Sequence, residues 1–125
     1  MNETQYTKKV SDLLKSRGAY FEKIWGGGMQ SAGIPDILVC YKGVFIGLEL
    51  KVGNNKPSEL QKVKVDFIRK AGGVGAILWD NLEPVNFILD VVDNVILGKL
   101  PWSYLVHVGA QYNVRADSKV IADET

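Results

Sequence analysis

Two carboxylates and a lysine stand at a spacing that places them on one face of a β-hairpin. Asp36 and Glu49 are each six residues away from the dipeptide Lys42-Gly43. That dipeptide suits a two-residue hairpin turn, because glycine supplies the positive φ that such turns need. Asp36 then lies directly across from Glu49, with Cβ atoms about 5 Å apart. Lys51 projects from the same face as Glu49 because strand side chains alternate. The pairing of Asp36 with Glu49 depends on the loop length, since a three-residue loop would shift the register by one.

Two acids opposed in a sheet repel each other, so the pair implies a cation between them. Lys51 alone could supply it, but a hard divalent ion suits two carboxylates and a backbone carbonyl better. Mg²⁺ prefers oxygen ligands, shares them with substrate phosphates, and lowers the pKa of a bound water. Lys51 could then orient that water or neutralise developing charge. The alternative interpretation is a surface hairpin with a Lys-Glu pair near a turn aspartate.

Hydropathy patterns predict the elements that would carry these residues, in the order helix, three strands, helix, strand, helix. Around the hairpin, Asp36 to Tyr41 and Val44 to Val52 are predicted strands, with Ile37, Val39, Ile46, Leu48 and Leu50 facing a core. A second helix starts at Ser58 with a capping box to Gln61, and its predicted buried stripe is Leu60, Val63, Phe67, Ile68 and Ala71. The other predictions are a helix from Glu3 to Arg17, strands from Tyr20 to Trp25 and Val74 to Trp79, a helix from Pro84 to Leu97, and a weaker strand from Tyr104 to Val108.

Composition indicates one globular domain, with 125 residues of which 46% are hydrophobic and 23% charged. We assign the domain to residues 1–116 and a polar tail to residues 117–125. A single cysteine, Cys40, excludes an internal disulfide and a multi-cysteine zinc site, and is expected to be a small buried residue. No stretch has the pattern of a signal peptide or the length of a membrane span, so we expect a cytoplasmic protein with no membrane partner.

The first half of the chain is basic, which is a property of proteins that contact phosphate backbones. Residues 1–70 contain 12 Lys and Arg against 7 Asp and Glu, whereas residues 71–125 contain 3 against 7. Candidate DNA-binding residues are the lysines around the second helix and the polar and glycine positions of the loop from Gly26 to Gly33: Lys56, Lys62, Lys64, Gly27, Gly28 and Gln30. An ordinary solvated helix face and a plain connecting loop are the alternatives.

The motif around these acids resembles the PD-(D/E)XK nuclease signature, and its VRR-NUC branch in particular. The resemblance rests on Gly33-Ile34-Pro35-Asp36, then twelve residues, then Glu49-Leu50-Lys51. A Gly-containing loop, a Ser58-started helix bearing Gln61, and a Gly-Gly helix stop continue it over residues 3–98. It implies an α/β, restriction-endonuclease-like fold: a central mixed β-sheet flanked by helices, in the order αβββαβ plus a C-terminal helix.

The resemblance also implies a Mg²⁺-dependent DNA endonuclease, in which Mn²⁺ can substitute. Asp36, Glu49 and the backbone carbonyl of Leu50 match the family's metal ligands, and Lys51 matches its catalytic lysine. Glu3 matches the acid found on the first helix, as a catalytic residue or further metal ligand, although the helix dipole alone also favours an acid there. Gln61 matches the family's helix glutamine near the site, although its capping box explains it equally well.

The same resemblance implies a phage-type protein that works as a homodimer on branched DNA such as four-way junctions, in the bacterial host cytoplasm, without an organic cofactor. Two other functions share these features. One is a non-catalytic DNA-binding or protein-interaction module that keeps the nuclease fold, which would be expected to have lost Asp36, Glu49 or Lys51. The other is a restriction-type endonuclease, for whose recognition elements 125 residues leave little space.

Overall fold

The computed structural model describes residues 1–25 and 32–113. It contains four helices and four strands within those ranges: α1 (Glu3–Ser16), β1 (Tyr20–Lys23), β2 (Ile37–Tyr41), β3 (Val44–Lys51), α2 (Glu59–Lys70), β4 (Val74–Trp79), α3 (Glu83–Ile96) and α4 (Tyr104–Ala110). The predicted order αβββαβ plus a helix is confirmed, and α4 follows as an additional helix. No helix in the described ranges combines the length and apolar character that crossing a bilayer requires.

The four strands form one mixed sheet in the order β1-β2-β3-β4. The β1–β2 and β2–β3 pairs are antiparallel, whereas β3 and β4 are parallel. Tyr41 pairs with Val44, so Lys42 and Gly43 are the two loop residues, as predicted. Both have positive φ, 51° and 84°, the backbone conformation that suits a tight turn to the twist of its strands.

One face of the sheet carries the main hydrophobic core. Val39, Ile46 and Leu48 from the hairpin are almost fully buried there, together with residues of β4. Helices α1 and α3 contribute to the same cluster through Tyr6, Val10, Leu14 and the apolar side of Glu83–Ile96. The predicted core face of the hairpin is therefore confirmed.

Helix α2 lies on the other face of the sheet, and its predicted buried stripe is wrong for most of its residues. Ile68 is half-buried and packs against Gly47 and Gly73, as predicted. Val65 and Arg69 are buried, whereas Leu60, Val63 and Phe67 are 44%, 43% and 56% exposed. The helix approaches β4 so closely that a Cβ on Gly75 would lie 2.5 Å from the Val65 carbonyl oxygen. The absence of a side chain at Gly75 thus fixes which side of α2 meets the sheet.

Two further predictions are corrected. Residues Tyr104–Ala110 form α4 rather than a strand, because Gly109 packs against the backbone of Gly75 and the helix lies along the edge of β4. Tyr112, just after α4, accepts a hydrogen bond from the Ile77 N–H through its backbone oxygen, which satisfies that edge. Cys40 is exposed rather than buried, since its side chain projects from the α2 face beyond the area that α2 covers. The polar tail predicted for residues 117–125 lies outside the described residues.

Candidate active site

Asp36 and Glu49 meet at the end of the β2–β3 hairpin. The ladder pairs Ile37 with Leu48, and the next position along it brings Asp36 beside Glu49. The hairpin register predicted from the sequence is therefore confirmed up to the last paired residues. Asp36 itself lies just before β2, where its backbone oxygen accepts a 2.8 Å hydrogen bond from the Ile24 N–H.

The carboxylate of Glu49 is buried and poorly compensated. Its residue is 1% exposed, and neither carboxylate oxygen makes a hydrogen bond within the described part of the chain. The Nζ atom of Lys51 lies 3.2 Å from Oε2, close enough for an ion pair but without hydrogen-bond geometry. A buried carboxylate without hydrogen-bond donors is costly, so this arrangement marks a place where a cation is expected.

The pKa of Glu49 is raised to about 8, first by burial and next by the nearby negative charge of Asp36. The ammonium of Lys51 opposes this shift and is the smaller effect. A carboxyl group shifted this far by burial and a neighbouring like charge is a feature of functional sites. A divalent cation between the two acids would return Glu49 to its ionised form.

Asp36 is held in place by the strand opposite. Its Oδ2 atom accepts a 2.7 Å hydrogen bond from the Leu50 N–H. In an extended strand the N–H and C=O of one residue point towards the same neighbouring strand. The Leu50 carbonyl therefore points to the side where Asp36 lies, which agrees with the third oxygen ligand expected from the sequence.

These groups fit a hard divalent cation. Two carboxylates, one of them buried without a hydrogen-bond donor, and a backbone carbonyl supply the oxygen ligands that Mg²⁺ prefers. Within residues 1–25 and 32–113, no group of three or more acids, histidines or cysteines is close enough to bind a metal by side chains alone. Such a site would leave coordination positions for water and phosphate oxygens.

Lys51 is placed by β4 and by the turn that follows it. Its side chain is 12% exposed, and its strand partner is Trp79. Asp80 has a φ of 52° and donates its N–H to the Lys51 carbonyl oxygen, while its Oδ2 accepts from the Gly53 N–H. Sequence reasoning missed Asp80, because no pattern in the sequence predicts its positive φ or its bond to a loop 27 residues away.

Glu3 and Gln61 are less closely tied to this pair of acids. Glu3 is exposed and lines the same cleft as Asp36, but does not complete a three-acid cluster with Asp36 and Glu49. The side-chain oxygen of Gln61 accepts a 2.8 Å hydrogen bond from the Ser58 N–H, so the capping box is present as predicted. Glu3 thus shares a cleft with Asp36, whereas Gln61 serves the helix start.

The candidate DNA-binding lysines do not form one patch. Lys62 pairs with Glu59 at 2.8 Å, and Lys56 is exposed in the loop before α2. Lys64 is half-buried, and two residues of separation place it on the opposite side of α2 from Lys62. Gly27, Gly28 and Gln30 lie outside the described residues.

The strand order and flanking helices define the class of fold as an α/β, restriction-endonuclease-like core. The chain superposes on a solved structure described as a VRR_NUC domain with a TM-score of 0.57 and 23% identity, over 70% of this chain and 94% of that one. It is also similar to the 1.6 Å structure of Archaeoglobus fulgidus Hjc, a Holliday junction resolvase from an archaeal hyperthermophile, with a TM-score of 0.44 and 20% identity over 61% of this chain and 66% of that one. No family model matches the sequence, and no curated protein matches it. The fold is thus that of a VRR_NUC domain.

Proposed function

We propose that the protein is a metal-dependent DNA endonuclease that hydrolyses phosphodiester bonds at the Asp36–Glu49–Lys51 site. The observation that carries this proposal is the Glu49 carboxylate, which is 1% exposed, lies beside a second acid and a lysine, and makes no hydrogen bond with the described residues. The fold of a VRR_NUC domain supports it, because the PD-(D/E)XK motif falls at the hairpin end where such a site is expected.

Asp36, Glu49 and the Leu50 carbonyl would hold Mg²⁺ or Mn²⁺. When bound, such an ion polarises a phosphoryl oxygen and lowers the pKa of water. Asp36 contributes a carboxylate whose orientation the Leu50 N–H fixes at 2.7 Å. Glu49 contributes a buried carboxylate that makes no hydrogen bond with the described residues and is only partly compensated by Lys51, which favours a divalent cation at this position.

Lys51 acts on the phosphate that is cleaved. Its Nζ already lies 3.2 Å from Glu49, and its side chain is 12% exposed, so it can reach from the carboxylate towards a phosphate at the surface. In that position its ammonium group can donate hydrogen bonds to the phosphate oxygens on which negative charge develops. Asp80 keeps Lys51 in place through the backbone rather than by contact with substrate.

Branched DNA, such as a four-way junction, is the proposed substrate, and a homodimer the proposed assembly. The sequence resemblance to VRR-NUC nucleases supports both. A two-fold dimer presents two identical sites, which suits two symmetric strands of a junction.

Cleavage of labelled DNA with Mg²⁺, with Mn²⁺ and with EDTA tests the proposal. We expect the parent protein to cut only with metal, and Asp36→Asn to lose at least about 10²-fold in rate, because one metal ligand is gone. Asp66→Asn is the matched control, since Asp66 pairs with Lys70 on α2 and should keep full activity. A folded protein that binds DNA but cuts with neither metal is instead the non-catalytic module.

A substrate panel tests the finer part of the proposal. Four-way junction, flap, linear duplex and single strand are compared at equal concentration. Preferential cutting of branched substrates supports structure selectivity. Equal cutting of all four removes it while keeping the nuclease, and cutting at one fixed sequence in any DNA would indicate a restriction-type enzyme.

A further inference from the structure

A cleft of about 650 Å³ runs between α1 and β1 and opens into the candidate active site. Asp36 lines it together with Glu3, so the cleft reaches the candidate active site at Asp36. Its other lining residues include Lys15, Phe21, Lys23 and Trp25. The volume is in the range of sites that enclose a small organic ligand and corresponds to one or two nucleotides rather than a duplex.

Both acids and lysines line the cleft. Glu3 and Asp36 are its acids next to the metal site, and Lys8 is paired with Asp12 at 3.0 Å. Neither Lys15 nor Lys23 forms an ion pair within the described part of the chain. With a divalent cation between Asp36 and Glu49, Glu3 is the remaining acid against the ammonium groups of Lys15 and Lys23. The lining then carries a net positive charge, as a phosphate-containing ligand requires.

Aromatic rings provide the second feature. Trp25 is 73% exposed, and the Nζ of Lys23 lies 5.6 Å from its ring centroid, a cation–π contact. Phe21 is partly buried and packs against the main core, which gives the cleft a rigid apolar wall. Exposed aromatic faces beside lysines are the chemistry with which proteins bind single-stranded nucleic acid, because bases stack and phosphates pair.

We infer that this cleft binds unpaired nucleotides next to the scissile phosphate, with a base stacked on Trp25 and phosphates at Lys15 and Lys23. This inference rests on the proposed function and narrows its branched substrates to those with an unpaired strand, such as a flap, because the arms of a four-way junction are fully paired. A fully paired duplex presents no free base for Trp25. DNA with an unpaired strand at the cleavage position therefore gains contacts that linear duplex lacks.

Binding of a fluorescent single-stranded hexanucleotide and of a duplex of equal length tests the inference. The measurements use Lys51→Ala protein with Mg²⁺, because Lys51 is not a proposed metal ligand and this variant is expected to keep its metal while cleavage is too slow to interfere. Trp25→Ala should weaken single-strand binding by about 5- to 100-fold, the effect of one lost stacking interaction, and leave duplex binding unchanged. Trp102→Ala is the control, since Trp102 is 62% exposed but lies outside the cleft.

Two further variants separate stacking and charge from damage to the fold. Trp25→Phe keeps an aromatic face and should retain most of the single-strand affinity. Lys15→Ala should weaken single-strand binding and reduce its salt dependence. Lys9→Ala, from the same helix but outside the cleft, should change neither.

The outcomes for the cleft and for the nuclease are distinguishable. If Trp25→Ala and Lys15→Ala bind the single strand as well as their controls do, the inference is wrong, whatever the catalytic site does. Loss of single-strand binding in these two variants supports the inference. Cleavage that persists after Asp36→Asn contradicts the proposed site instead, and is measured separately on the substrate panel.

Discussion

Glu49 combines three properties that ordinary strand residues do not share. It is 1% exposed, its carboxylate makes no hydrogen bond with any residue that the structure describes, and it lies beside the like charge of Asp36. In this setting the Glu49 carboxyl group destabilises the metal-free fold whenever it is ionised. The residue therefore links pH to stability, and the proposed metal binding would act on both.

The pH dependence of stability follows from the pKa of Glu49. Its folded pKa of about 8 lies above the ordinary 4.5, so the folded state holds a proton that the unfolded state releases. Stability should fall as pH rises from about 5 to 8, the window between those two values. Thermal unfolding of metal-free protein measures this, and Glu49→Gln should show a smaller fall.

A control variant and a measurement with Mg²⁺ assign the pH dependence of stability to Glu49. Glu59→Gln, an exposed acid on α2, should keep the pH profile of the parent protein. Mg²⁺ at pH 8 should raise the melting temperature of the parent and not that of Glu49→Gln, because only the parent has the buried charge to bind it. Identical pH profiles for parent and Glu49→Gln would contradict the assigned pKa.

At the scale of elements, the hairpin was predictable and α2 was not. The symmetric placement of Asp36 and Glu49 about Lys42-Gly43 is sufficient to set the register, since a two-residue turn permits only one pairing. For α2, apolar residues occupy two sides of the helix. The side that is buried depends on a neighbour distant in sequence, Gly75, and on an arginine that sequence patterns assign to the surface.

Arg69 shows why the pattern failed. Its guanidinium is buried and donates hydrogen bonds to the carbonyl oxygens of Gly75 and Gly109 and to Oδ1 of Asn113. Burial lowers its pKa, and these three acceptors satisfy the donors that burial removes from water. Because its donors are satisfied in this way, Arg69 occupies a buried position of α2 at which sequence patterns would favour an apolar residue.

Two valines of α2 test its orientation. Val65→Ala should destabilise the protein by about 2 kcal/mol, because it leaves a cavity under the helix. Val63→Ala, two residues away and 43% exposed, should change stability by less than about 0.5 kcal/mol. Urea unfolding of both variants measures this, and equal effects or the reverse order would restore the stripe expected from the sequence.

At the scale of the whole molecule, α4 covers the edge of the sheet at β4. It lies along β4 through contacts of Gly109 with Gly75, and the backbone oxygen of Tyr112 bonds the Ile77 N–H. The strand predicted for Tyr104 to Val108 reflects the β-branched and aromatic residues there, and the contact with β4 outweighs that preference. The same end of the molecule supplies two acceptors for Arg69, so α2, β4 and α4 depend on one another.

Gly109→Ala tests this packing by the sign of its effect. In an exposed helix the change would stabilise by roughly 1 kcal/mol. Here the new Cβ would lie 2.5 Å from the Gly75 carbonyl oxygen, so we expect a loss of about 1–3 kcal/mol in urea unfolding. Ala110→Ser, at an exposed neighbouring position, should have little effect. Stabilisation by Gly109→Ala would show that α4 does not pack on β4 in this way.

In the proposed reaction Lys51 stabilises the charge that develops on the phosphate. The most direct test is the single-turnover rate of DNA cleavage with Mg²⁺ for Lys51→Ala, alongside metal binding by the same variant. We expect the rate to fall by about 10²- to 10³-fold while metal and DNA binding persist, because Lys51 stabilises charge in the reaction rather than holding the metal. Lys70→Ala, an exposed lysine paired with Asp66, should cut at the parent rate. Unchanged cleavage by Lys51→Ala would contradict the assignment of this site.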